Sequence, residues 1–302
     1  MPEFGEAVAG GDGADDGHPE DCVFCAEWPR ELKGYKTKHG LLKDEDDLAE
    51  SLRSNAKELT TDKKVGPVYP LPGGSDPTMG WVAKAGALEE FEVEIGATPH
   101  HIIPGKASMA KSRLEQWTRA EKGKIKEDIG YSIDCARNGV FLPKLPDLYG
   151  TKHKVPGVTM AQFYGQTWRA LSPASKEGVG FLVMKDTWLQ LHYTDHSKPY
   201  KTSPTMNYDK ETRLECDQLA HLAERFRIVC ERSKDDDGKR YPPYSLVHLI
   251  NQKSDFFKMR ITGRPDQWKS WVSTLAEDLS MAVRQGRELL VSKLALTKKT
   301  RG

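Results

Sequence analysis

Four of the nine histidines stand in two short patterns: His100 and His101 are adjacent in TPHHIIPG (98–105), and His192 and His196 lie four residues apart in HYTDHSKPY (192–200). Imidazole both ligates metal ions and exchanges protons near neutral pH, with an unperturbed pKa of about 6.5. Neighbouring residues at a strand end project to opposite sides. One histidine of the doublet can therefore face an ion while the other faces a reacting water. Residues spaced as His192 and His196 are leave one face of a helix together and can grip a single ion. Between the two patterns lies IDCARNGVFLP (133–143), which carries Asp134 and Asn138. Each piece also has a structural reading: a polar loop pair, an Asn-Gly turn and a surface helix pair. It is their joint occurrence that points to metal-assisted hydrolysis.

Taken in order, HHIIP, ID followed by NGVFLP, and H…H..PY resemble the AHH-type nuclease domain of the HNH/endonuclease VII superfamily, found at the ends of polymorphic bacterial toxins. Pro99 stands where that pattern usually has alanine, and the insertion between NGVFLP and HYTDH is long. The resemblance covers about residues 90–200. It implies an α+β chain with a ββα-metal (HNH) finger embedded in a mostly helical protein. It further implies a metal-dependent, largely non-specific DNA endonuclease that uses one divalent ion, Mg, Mn, Zn or Ni. In that scheme His101 is the general base, and Asn138 accepts the proton on its far nitrogen and fixes the tautomer. His100, His192 and His196 hold the ion, while Asp134 orients the finger or caps the turn.

The same resemblance implies an antibacterial effector, delivered by a type VI or contact-dependent secretion apparatus through one of its components or an adaptor. Such a protein is made in the bacterial cytoplasm, leaves without a signal peptide and acts on DNA in the target-cell cytoplasm. A cognate immunity protein protects the producer. The rival readings are an RNase toxin of the same fold, a non-catalytic zinc-stabilised binding module, and a homing nuclease that cuts at specific sequences.

Cys22 and Cys25 form a CxxC, the half-site of a structural zinc. No second CxxC follows, and His18, His39 or Cys135 are candidates to complete it. Cys216 and Cys230 read as small core residues of a helix. The five cysteines are an odd set without disulfide-rich spacing, as in a chain made in a reducing compartment. Trp168, Trp188, Trp268 and Trp271 can stack on bases, although tryptophan is more often core.

The elements that must position these residues follow from pattern. Residues 1–20 are rich in Gly, Asp, Glu and Ala and read as a disordered leader. Residues 21–85 read as an N-terminal docking or accessory region with the CxxC, and 86–302 as the HNH-type nuclease domain with a helical C-terminal part. Leu48 and Leu52 predict a short amphipathic helix within 44–59, and the prolines and glycines of 65–77 a loop. Alternation from Phe91 to Ile95 predicts a strand running toward the doublet. Residues 107–129 read as helix, 138–139 as a turn, 140–142 as a strand and 143–180 as an irregular insertion. Further helices are expected at about 208–231, 244–257 and 265–294.

Net charge is +1, so the whole chain exerts no strong field on a polyanion. Two local stretches, 111–126 and 292–302, are basic enough to touch phosphates. No apolar run of roughly 18 residues suggests a membrane span, and the N-terminus lacks the basic-then-apolar order of a secretory signal.

Overall fold

A computed structural model describes residues 22–25, 48–52, 78–85, 89–144, 180–181, 184, 188–192, 196–230 and 238–286. The expected leader, the 65–77 loop, most of the 143–180 insertion, the basic tail, Trp168, His18 and His39 lie outside these residues. No described helix is long and apolar enough to cross a membrane.

The chain is α+β. Three antiparallel strands, β1 (Thr78–Ala85), β2 (Glu89–His101) and β3 (Gly139–Lys144), lie in the order β1-β2-β3. The helices are α1 (Tyr208–Val229), α2 (Leu246–Ile261) and α3 (Thr274–Arg284). The alternating segment 91–95 is indeed strand, and β2 continues to its end at His101. There His100 pairs with Val140 and His101 with Gly139 of β3. Residues 48–52 are helical, with Leu48 and Leu52 buried. Gly139 packs closely under this helix: a Cβ there would stand 2.7 Å from Leu48 Cδ1, so the leucine would have to shift.

Three expectations are corrected. Residues 107–129 do not form a helix but three short 3₁₀ turns, at Met109–Lys111, Arg113–Trp117 and Ala120–Lys122. Serine is the reason: Ser112 Oγ donates to Met109 O at 2.8 Å and accepts from Leu114 N at 3.2 Å, closing one turn and opening the next. The last helix starts at Thr274 rather than near 265, because Pro265 sits in a separate 3₁₀ turn. Ser273 supplies the N-cap by accepting from Ala276 N. Helix α2 runs to Ile261, past the expected end, since Phe257 and Ile261 continue its buried stripe.

The chain divides into two compact units that do not follow chain order. The first comprises 1–43, 103–133 and 212–254, and the second 44–102, 134–211 and 255–302. In the first unit Trp117 is buried, with Phe24 against its face at 5.8 Å and Lys124 Nζ 4.8 Å from its ring centre. In the same unit Ser108 and Thr212 share a buried hydroxyl bond of 2.7 Å. Much of the cationic charge of 111–126 is already engaged here: Arg119 and Lys122 reach Glu115, and Lys124 reaches Glu224. This favours a solvated, self-paired surface over a phosphate-binding stripe.

The second unit is built on Ile102, Leu142, Leu189, Tyr208, Phe257, Ile261 and Val272. Trp268 and Trp271 are buried, as core residues should be, whereas Trp188 is exposed and adopts a left-handed φ of 58°. This core underlies the histidines, since Ile102 directly follows the doublet and Leu189 precedes His192 by three residues.

Candidate metal centre

His100 and His101 end β2, and the strand geometry parts them. The His100 ring is buried and stands 5.2 Å from that of His192 and 4.7 Å from that of His196. His101 turns to Asp134 instead, with Nε2 2.7 Å from Oδ1.

His192 and His196 reach His100 by a different route from the helix expected. Neither is helical: His192 lies outside regular secondary structure and His196 in a turn. His192 N donates to Pro143 O at 2.8 Å, which lays the segment beside β3. Buried Gln190 holds the same segment from the other direction, donating to Ser270 O and accepting from Val272 N. His196 is placed by Asn207, whose amide donates to Ser197 O at 2.7 Å while its carbonyl accepts from Lys210 N at the start of α1. Glu277 closes the intervening loop by accepting from the backbone amides of Lys201 and Thr202. His192 and His196 are thus each held by backbone bonds of their own neighbourhood, and neither sits in a helix.

One ring nitrogen of each of these three histidines lies within 4.8 Å of the others, and His192 Nε2 is 3.1 Å from His196 Nε2. Imidazole nitrogens bound about 2.0–2.1 Å from a tetrahedral ion stand roughly 3.3 Å apart, so small rotations bring all three onto one cation. Three protein ligands leave a coordination position for substrate or water, as a catalytic metal site requires.

Two residues at the start of α1 complete the surroundings, and the sequence carries no signal for either. Tyr208 lies beneath His100 and His196, with ring centres 5.6 Å from each, and its hydroxyl donates to Ile102 O at 2.7 Å. Burial, then the charges of Glu211 and Asp209, push that hydroxyl well above its ordinary pKa, so it stays a donor. Tyr208→Phe removes the bond that ties down the backbone after the doublet. It should lower stability by about 1–3 kcal/mol in denaturant unfolding while leaving α-helical content unchanged.

Asp209 Oδ1 is 3.8 Å from His196 Nδ1, on the far side of the ring from the Nε2 that faces His192. At that distance the carboxylate acts on the ring through its charge, which favours a cation held at the opposite nitrogen. Asp209→Asn should therefore weaken metal binding by about tenfold in a competition titration, with little change in melting temperature of the metal-free protein.

Asp134 is the side-chain partner seen for His101. A carboxylate only accepts, so Nε2 carries the proton and Nδ1 is left as the basic nitrogen. Asn138 is fully buried at the end of a 3₁₀ turn, and its backbone carbonyl accepts from Ile102 N at 2.8 Å. Through that bond it fixes the chain just after His101. The doublet is thus held from the β3 side by Asn138 and from α1 by Tyr208.

The first unit contains a second ligand cluster. Cys22, Cys25 and Cys230 bring their sulfurs within 4.8 Å of one another. Cys230 is therefore more than the small core residue that its helical position suggested. It lies just past the end of α1 with its Sγ 3.3 Å from that of Cys25. Burial first, then the adjoining thiols, push Cys25 up to about 12, and burial likewise raises Cys22. Of the residues considered to complete the CxxC, Cys135 belongs to the other unit, and His18 and His39 lie outside the described residues.

Among the described residues, two His/Cys groups are suited to a metal ion, one of three imidazoles and one of three thiols. Compared with protein-family models, curated proteins and solved structures, the chain matches none.

Proposed function

We propose that the protein is a metal-dependent phosphodiesterase of the HNH type that cuts DNA with little sequence preference. The observation that carries this reading is the division of labour within the doublet. His100 faces two distant histidines, and its neighbour His101 faces a carboxylate. A purely structural metal site has no use for the second imidazole and its oriented partner.

In this mechanism His100, His192 and His196 hold one divalent ion. When bound, the ion supplies Lewis acidity toward the scissile phosphate and its leaving oxygen. His101 takes a proton from the attacking water at Nδ1, and Asp134 stabilises the imidazolium that results. Asn138 and Tyr208 keep the doublet's backbone still, so that the two imidazoles do not exchange places. Three neutral imidazoles are a borderline, nitrogen-only set, which suits Zn, Ni or Mn better than Mg with its preference for oxygen. The deployment that goes with the resemblance is part of the same proposal: delivery into a neighbouring bacterium, DNA as target, and an immunity protein in the producer.

Metal removal tests it directly. EDTA should abolish nicking of supercoiled plasmid, and zinc, nickel or manganese should restore it more effectively than magnesium at equal free concentration. Total RNA in parallel decides between the DNase and the RNase of the same fold. A discrete ladder of fragments from linear DNA would favour a sequence-specific nuclease. Failure to cut either polymer with any of the four metals would leave the chain a binding module.

A further inference from the structure

The thiol cluster supports an inference that does not depend on the nuclease reading. We propose that Cys22, Cys25 and Cys230 hold a structural zinc ion that clamps the segment 22–25 to the end of α1. Two of these residues are adjacent in a CxxC, and the third comes from 205 positions away. The short segment is built as a knuckle. Cys25 N donates to Cys22 O at 3.1 Å, folding the CxxC so that both sulfurs face one point. Ser245 Oγ donates to Val23 O at 2.8 Å, and Phe24 packs edge-on against Trp117, so the knuckle is seated through its backbone as well as its side chains. On the other side Cys230 N donates to Phe226 O at 2.8 Å, which turns the thiol inward as the helix ends.

Three sulfurs around one point is the arrangement that separates a metal site from its alternatives. Thiolates bound about 2.3 Å from a tetrahedral zinc stand roughly 3.8 Å apart, and here Cys25 and Cys230 are 3.3 Å apart with all three sulfurs within 4.8 Å. A disulfide would join two sulfurs and leave the third without a role, and none of the five cysteines is in a disulfide. Cysteines serving only as core filler have no reason to turn their sulfurs toward one another. Soft sulfur donors select zinc over magnesium or calcium. Cys22 and Cys230 are fully buried, which favours a structural role, and one position of the tetrahedron remains for a further donor. Binding is redox-neutral: each thiol that ligates releases its proton, and the zinc stays divalent.

The test uses the full chain with His101→Ala, prepared under reducing conditions and loaded with cobalt(II) in place of zinc. A thiolate-to-cobalt charge-transfer band in the near ultraviolet is expected. It should persist when His100→Ala and His192→Ala are added and disappear with Cys230→Ser. Zinc content should fall by about one equivalent per chain in Cys230→Ser. The chain without cysteine substitutions gives an independent readout: zinc should protect three of the five cysteines from a thiol reagent, and a strong chelator should expose them. The proposal is overturned by a cobalt spectrum lacking the charge-transfer band. It is equally overturned by unchanged zinc content in a folded Cys230→Ser chain, or by a Cys25–Cys230 disulfide in protein isolated without reductant. Because a site of imidazoles alone gives no thiolate band, loss of the histidine centre and loss of this one are told apart in the same spectra.

Discussion

Plasmid cleavage by the His101→Ala variant is expected to fall by about 10²–10⁴-fold, the range a positioned general base contributes. The same preparation should bind its catalytic metal as tightly as the parent. The argument rests on where His101 points. Its ring is bonded to Asp134 and is not a member of the three-histidine group. Removing it takes away a proton acceptor and leaves the ligands of the ion in place. Both side chains of the pair are largely buried, at 10% exposure for His101 and 5% for Asp134. Truncation leaves the Asp134 carboxylate without this partner, so stability should fall by about 1–3 kcal/mol while circular dichroism shows the fold retained, and cleavage is compared at equal folded fraction. Equal nicking by parent and variant, at equal metal occupancy, would end the assignment of His101 and with it the catalytic reading.

Replacing the preceding residue should have a different signature. His100→Ala is expected to lose both the ion and the activity, with metal affinity falling by more than the roughly 10–100-fold that an outer partner is worth. His100 is buried and stands within about 5 Å of both other rings, so it has no substitute among the described residues. Calorimetric titration with zinc or nickel reads the affinity, and raising the metal concentration distinguishes weakened binding from a destroyed site. If cleavage by His100→Ala returns fully at high metal, the residue assists binding but is not needed as a ligand. If it binds the ion normally and still fails to cut, His100 and His101 have been assigned the wrong way round. The two variants side by side therefore separate holding the metal from moving the proton, two functions that lie one residue apart.

Much of the scaffold was legible from local pattern. Alternating residues marked β2, and apolar spacing marked α1, α2 and the later part of the third helix, each of these helices burying one face against the core. The segment 107–129 misled for a physical reason. Its buried Met109, Leu114 and Trp117 suggest a helical stripe, but Ser112 bonds locally to the backbone and breaks the stretch into turns. His192 and His196 misled in another way. Their four-residue spacing suits a helix, yet neither residue is helical and their rings still stand 5.0 Å apart.

What the sequence by itself determined is the set of chemistries available: a histidine doublet at the end of an alternating strand, a second histidine pair downstream, and a CxxC without its partners. Only the tertiary structure decided which groups meet. It set Asp134 against His101, placed Asp209 near His196 and carried Cys230 to the CxxC, while it grouped His100 with the downstream pair as the family resemblance implied. The reason is the reach of each kind of information. Residue types and periodicity record which face of a local element is buried and which groups can donate, accept or ligate. Contacts across 33 or 205 positions depend on how strands pair and helices end, and nothing in the spacing of the residues themselves encodes that.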